Sequence, residues 1–376
     1  MPRFRFEELV NNVTEKGMPA PGDEKWYIGL EHLDSGSLSV TRWGGDVELT
    51  GQKLVMKKGD ILFGRRNTYL RRVAIAPHDG YFSAHGMIFR AKEEHILPEY
   101  LPFFIASDYF MDAAIRISVG SLSPTVNWKT LKELEFEIPE IEEQRKSAAL
   151  LWAAEDTKRA YEELLKQSDE LVKSQFIELF GDAKNPKYPI VRLKELTDVC
   201  SGGTPDRKTT EYWESGNIPW VKTTELQNNV LTTTEEFITE SGLLNSSAKI
   251  VPSNTILIAM YGQGKTRGMT AFLGVEACTN QACACILPTN KIDMLFLWQY
   301  FILSYNELRN LAKGSNQANL NAGQIKNFLV PLPPLEVQME FRVFIEQLDK
   351  SKFELKQSIA NITALMKSLM QQDFNN

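Results

Sequence analysis

The chain repeats itself. At an offset of 194 residues IPEIEEQ (138–144) matches LPPLEVQ (332–338), each at the same distance after a Gly-Ser pair (120–121 and 314–315). W-x-x-x-x-E recurs at that offset as Trp26 with Glu31 and Trp220 with Glu225, and LVKSQFIELF (171–180) aligns with LMKSLMQQDF (365–374). A repeat this long constrains the fold before any element is assigned: two copies of one module, about 190 residues each, account for nearly the whole chain.

Each copy changes texture once. Residues 1–140 and 181–334 carry short apolar runs, such as 61–63, 255–260 and 282–287, punctuated by Gly, Pro and Asn as in turns between strands. Residues 101–116 and 294–312 have apolar positions at helical spacing, so both globular parts are expected to be α+β. Beyond Pro139 and Pro334 come about 40 residues per copy without Gly or Pro, rich in Glu, Lys, Gln, Leu and Ala, which predicts one long helix in each.

Those helices carry a seam. In the second copy Phe341, Ile345, Leu348, Lys352, Leu355, Ile359, Ile362, Met366 and Leu369 alternate four and three apart. In the first the same seam reads Ser147, Leu151, Ala154, Lys158, Tyr161, Leu165, Ser168, Val172 and Gln175, supplemented by Trp152, Leu164, Leu171 and Phe176. A seam of period 3.5 buries itself against another helix, and the natural partner of each is the other. Two similar globular domains related by a pseudo-twofold, separated by two antiparallel helices forming a coiled-coil spacer, is the expected architecture.

The chemistry is that of recognition. Cys200, Cys278, Cys283 and Cys285 lack C-x-x-C spacing, and the four histidines form no ligand pattern, so neither a disulfide framework nor a metal site is expected. The Gly-Lys-Thr at 264–266 has Ala259 where a phosphate-binding loop wants Gly, and GMTAFLGV after it predicts a strand. Asp206 and Glu211 lack the lysine of a nuclease site, and no dinucleotide fingerprint or methyltransferase tetrapeptide occurs; no catalytic residue can be assigned. GRRNTYLRR (64–72) sets Arg65, Arg66, Arg71 and Arg72 around Tyr69, a set suited to phosphates and guanine edges. YGQGKTRG (261–268) is its counterpart, offering Tyr261, Gln263, Lys265 and Arg267. GGTPDRKTTEYW (202–213) adds Thr204, Arg207 and Lys208, and GSNQANL (314–320) adds Asn316 and Gln317. Net charge is −6, and residues 181–334 hold 14 basic against 13 acidic residues, so a DNA-reading surface has to be a local patch. No apolar run approaches a membrane span and the first residues lack a signal-peptide core, so a cytoplasmic, non-membrane protein is expected.

Taken together, the duplicated P-x-x-x-x-Q segment, GGTP-x(7)-W followed by NIPWVKTTEL (217–226, with Lys222), YGQGKTRG and GSNQANL closely resemble the DNA specificity subunits of type I restriction-modification systems, over essentially all 376 residues. The first copy lacks the GGTP segment and has Ser-Leu-Ser at 121–123. The resemblance implies target recognition domains at 1–140 and 181–334 and spacer helices at 141–180 and 335–376. It implies a non-catalytic subunit reading both halves of an interrupted site on double-stranded DNA. The partners implied are modification (methyltransferase) subunits, expected to be two, and a restriction (motor and nuclease) subunit. S-adenosylmethionine, ATP and Mg are expected on those partners and no cofactor on this chain. The competing reading is a helical scaffold with two protein-binding heads.

Overall fold

The computed structural model describes residues 1–45, 49–182, 185–262, 264–312 and 319–374. The chain divides into two compact units, Met1–Leu164 with Glu354–Asn376, and Leu165–Phe353. The division falls inside the long helices, Ile141–Phe180 and Leu335–Phe374, and not at their ends.

In the first unit a four-stranded antiparallel sheet takes the order Val10–Val13, Met87–Ala91, Ile61–Phe63, Val73–Ile75. A second sheet runs Lys16–Gly17, Lys53–Met56, Gly80–Phe82, Tyr27–Ile28, its last pair parallel. Arg3–Arg5 pairs with Glu135–Glu137 and brings both ends of the globular part together. The helices Leu101–Ala106 and Asp108–Arg116 break at the buried Ser107, whose hydroxyl caps the second by accepting the Phe110 N–H. The core is a cluster of phenylalanines: the Phe6 ring lies 5.2 Å from Phe89 and 5.1 Å from Phe110.

The second unit repeats this plan. Its main sheet is Val199–Ser201, Cys283–Ile286, Ile256–Ala259, Thr270–Leu273, with Asn229–Leu231 added in parallel at the edge. The smaller sheet is Glu236–Ile238, Ile218–Val221, Cys278–Thr279, again with one parallel pair. Ile190–Arg192 pairs with Leu329–Pro331 as Arg3–Arg5 does with Glu135–Glu137. The helices Met294–Leu303 and Tyr305–Asn310 break at buried Ser304. Gly264–Thr266 leads into the strand Thr270–Leu273, so no helix N-terminus follows that loop to bind a phosphate.

One detail of the repeat is displaced. Tyr27 and Trp220 hold the same place, each starting the parallel pairing of the smaller sheet, and the Ile28 and Val221 carbonyls accept from Ser83 and Asn280 at the same point of the ladder. The acceptor that closes the following turn is His32 Nδ1 on the Gly29 N–H (2.9 Å) in one unit and Glu225 Oε1 on the Lys222 N–H (2.7 Å) in the other. The expected equivalence of Trp26 and Glu31 with Trp220 and Glu225 is therefore off by one residue.

The P-x-x-x-x-Q signature has a structural cause. Gln144 is fully buried; its Oε1 accepts the Leu97 N–H (2.8 Å) and its Nε2 donates to the carbonyls of His95 (2.9 Å) and Pro139 (2.8 Å). Gln338, equally buried, accepts the Asp293 N–H (2.7 Å) and donates to the Pro333 carbonyl (2.7 Å). Each glutamine locks the first turn of a long helix onto the globular part that precedes it. Trp152 continues this in the first unit, its Nε1 donating to the Glu99 carbonyl (2.9 Å) and its ring 5.0 Å from Phe103.

Further along, each helix meets the other. In the first unit the Ser147 hydroxyl donates to Asp373 (3.0 Å), Leu151 shares the core with Met366, and Ile362 and Leu369 pack against it. In the second unit Lys352 pairs with Asp169 (2.6 Å) and the Phe176 and Phe341 rings are 5.5 Å apart, with Val172, Ile345 and Leu348 in the same cluster. Within each unit the two helical segments therefore run antiparallel. Tyr161, Leu165, Leu355 and Ile359 are half-buried, whereas Leu164 and Leu171, expected beside the seam, are exposed. Lys158 is buried and pairs with Glu155 one turn back (2.9 Å), and Lys352 is half-buried against Asp169, so both seam lysines are neutralised.

Candidate nucleic-acid interface

In the first unit the strands Ile61–Phe63 and Val73–Ile75 are joined by the arginine-rich loop, closed at its base by Gly64 N–H donating to the Arg72 carbonyl (2.9 Å). Asn67 sits at φ 55°, a left-handed position that asparagine tolerates, and turns the chain into the short helical turn Thr68–Leu70. The Thr68 hydroxyl donates to the Arg65 carbonyl (2.8 Å), so the loop holds its own shape. A second segment braces it: Asn67 N–H donates to the Pro124 carbonyl (2.7 Å), Val126 N–H to the Arg65 carbonyl (3.0 Å), and Arg66 bridges to Thr125. Arg66 and Tyr69 are exposed, and Arg65 and Arg72 are half-buried. Arg65 Nε and Asn67 Oδ1 are buried without a hydrogen-bonding partner, which costs free energy unless a ligand supplies one.

The second unit builds its counterpart between Ile256–Ala259 and Thr270–Leu273. Gly262 adopts φ 143°, and a Cβ there would lie 2.7 Å from that of Thr266, so the turn requires glycine. Tyr305 donates its hydroxyl to the Lys265 carbonyl (2.8 Å) and Arg309 its Nη1 to the Arg267 carbonyl (2.9 Å), holding the loop on the helix Tyr305–Asn310. Leu320 N–H donates to the Met260 carbonyl (3.0 Å), so the segment before the final helix braces this loop too. Tyr261 and Lys265 are exposed, and Arg267 Nε is buried and unpartnered. Gln263, Asn316 and Gln317 lie outside the described residues.

Three expected contacts are engaged elsewhere. Arg71 binds Asp108 (2.6 Å) and Asp112, so its guanidinium is neutralised by carboxylates. Arg207 stacks on Trp213, 3.8 Å from the ring centroid, and also pairs with Glu236. Lys222 pairs with Glu235 (2.8 Å) and Glu236 (2.9 Å), which raise its pKa; burial pushes the Glu236 carboxyl up, but Lys222 and Arg207 hold it below the usual range. GGTP-x(7)-W is thus first a packing motif. A Cβ on Gly202 would lie 2.1 Å from the Thr279 carbonyl oxygen, one on Gly203 2.3 Å from Ser247, and the buried Trp220 donates to the Gly203 carbonyl (3.0 Å). Within it Lys208 remains exposed, and Thr204 donates to Gln281.

Sequence reading missed Asn67, the bracing tip at 119–125, Tyr305 and Arg309. Of these, only the tip carried a signal in the sequence, the Gly-Ser pair at 120–121 that recurs as letters at 314–315. Among the described residues no three His, Cys, Asp or Glu side chains gather to hold a metal ion, and no helix is long and apolar enough to cross a membrane.

The family model described as the type I restriction modification DNA specificity domain matches residues 20–167 and again 185–364. The EcoR124I/EcoR124II specificity subunit of Escherichia coli is 27% identical over 161 residues, 42% of this chain and 39% of that subunit. The MjaIX specificity subunit of Methanocaldococcus jannaschii is 23% identical over 398 aligned positions, covering 93% of this chain and 91% of the other. Among solved structures, a chain from work on complex assembly and conformational transition of the type I R-M system superposes with a TM-score of 0.60 at 20% identity, covering 99% of this chain and 97% of its own. The S subunit from M. genitalium does so with 0.60 at 14% identity, over 100% and 96%. These likenesses establish the fold.

Proposed function

Since this chain belongs to the type I restriction modification DNA specificity domain family, matched twice along its length, we propose that it is the sequence-reading subunit of a type I restriction-modification complex. One observation carries the reading. The same hairpin loop, braced from the segment before the long helix, presents in each unit an exposed cation and an exposed tyrosine, Arg66 with Tyr69 in one and Lys265 with Tyr261 in the other, beside a half-buried arginine, Arg65 or Arg267. Arginine forks of this kind match guanine edges and phosphates. The loops differ in sequence, GRRNTYLRR at 64–72 against YGQGKTRG at 261–268, so the two units read different half-sites of one asymmetric, interrupted sequence.

The long helices set the gap. A pseudo-twofold relation of two target recognition domains, at 1–140 and 181–334, with the antiparallel helices 141–180 and 335–376 as a coiled-coil spacer between them, is supported by the shared topology, the period of the seam and the antiparallel contacts within each unit. Such a bar suits half-sites about one turn of DNA, roughly 34 Å, apart. The chain itself does no chemistry. Two modification subunits bring S-adenosylmethionine and methylate adenine at the chosen site, a restriction subunit brings ATP and Mg for translocation and cleavage, and the complex acts in the cytoplasm.

Electrophoretic shifts with the modification subunits, at two salt concentrations, test this. Binding to an interrupted site that weakens as salt rises is expected, with Arg267→Ala relaxing one half-site and sparing the other. Salt-independent association with no DNA preference would instead support the protein-binding scaffold.

A further inference from the structure

The tip at 119–125 does more than brace the arginine loop. Leu122 is 94% exposed and Val119 67% exposed, two large apolar side chains on a seven-residue turn where polar residues are the rule. The tip is not slack. Val119 and Thr125 exchange both backbone hydrogen bonds (3.0 Å each), the Thr125 hydroxyl donates to the Ser123 carbonyl (2.9 Å), and Gly120 makes the turn at φ 117°. Pro124 and Thr125 tie it to Asn67 and Arg66, beside the unpartnered Arg65 Nε and Asn67 Oδ1. A leucine held out by an ordered hairpin next to cationic and amide groups matches one feature of the major groove, where guanine and adenine edges take hydrogen bonds and the thymine methyl is the apolar group.

We infer that Leu122 packs against the 5-methyl group of a thymine in the half-site read by the first unit, Val119 flanking the contact, and so adds thymine selection to the arginine loop. The inference rests on the DNA-reading role proposed above and names a base and an atom for it.

The test uses the full chain with its modification subunits and DNA carrying its methylated site. Arg66→Ala first identifies which half-site belongs to the first unit. Each thymine of that half-site is then replaced singly by deoxyuridine, which removes only the methyl. One replacement should weaken wild-type binding about four-fold, the worth of one buried methyl group. Leu122→Ala should weaken binding to the thymine site by a similar factor and be indifferent to that one deoxyuridine, with the other half-site unchanged. A substitution at so exposed a position leaves the fold intact. Multiplying effects of Leu122→Ala and every deoxyuridine, wild-type affinity in Leu122→Ala, or a half-site without thymine would overturn the contact. So would loss of subunit assembly in Leu122→Ala without DNA, which would place the leucine on a protein partner. Failure of the wild type to bind any interrupted site would instead sink the DNA-reading role itself.

Discussion

Replacing Gln144 by leucine keeps a side chain of similar size while deleting the three hydrogen bonds through which Gln144 ties the first turn of the long helix to its globular part. Three groups lose their partner: the Leu97 N–H and the carbonyls of His95 and Pro139. Gln338→Leu strips only two, the Asp293 N–H and the Pro333 carbonyl. At about 1 kcal/mol net per bond, the first change costs about 3 kcal/mol and the second about 2 kcal/mol. For units of this size that corresponds to melting shifts of roughly 2–4 °C per kcal/mol. Urea unfolding read by tryptophan fluorescence covers both units, since Trp152 lies in the first and Trp298 in the second, and the two variants are compared by the stability each loses. The variant in the first unit should lose more. If both unfold within about 0.5 kcal/mol of the wild type, the glutamines are not the locks described, because bonds to fully buried groups cannot be lost so cheaply.

Three other expectations follow from the same contacts. Burial pushes the Asp373 carboxyl above its usual range despite hydrogen bonds from Ser147 and Tyr100, so the folded state holds that proton more readily than the unfolded one. Its contribution then favours folding below the unfolded value of about 3.9 and is lost as pH rises through the higher folded value; the stability of wild type relative to Asp373→Asn should fall over that window, and a flat difference would refute it. The buried Glu155 and Lys158 pair should tolerate joint replacement by leucine and methionine with little loss, whereas Lys158→Met alone should cost about 3–5 kcal/mol by stranding the carboxylate, measured by chemical denaturation. Removing one heptad from each long helix, seam register kept, shortens a bar by about 10 Å and should shorten the gap in the methylated motif by about three base pairs while preserving both half-sites.

What the sequence made legible was whatever repeats locally. The 194-residue offset exposed the duplication, and the four-three alternation from Phe341 to Leu369 picked out positions that are all buried or half-buried. The glutamine of P-x-x-x-x-Q was visible as a signature, but not its reason, because Leu97 and Asp293 are 47 and 45 residues away. The same blindness hid the surroundings of Arg71, Arg207 and Lys222, whose carboxylate partners are met only when the chain folds. The one-residue slip between Trp26 and Trp220 arose because identical letters stood next to the equivalent backbone positions and not on them. Leu122 was passed over because a single leucine among serines carries no period; its exposure makes it stand out.

Single-molecule methylome sequencing of cells expressing this chain with its modification subunit bears most directly on the whole account. Adenine methylation at one motif of two specified halves separated by a fixed unspecified gap, with Arg267→Ala degrading one half alone, is the expected result. Methylation confined to continuous motifs, or a motif unchanged when this chain is exchanged for a relative with different loops, would contradict it.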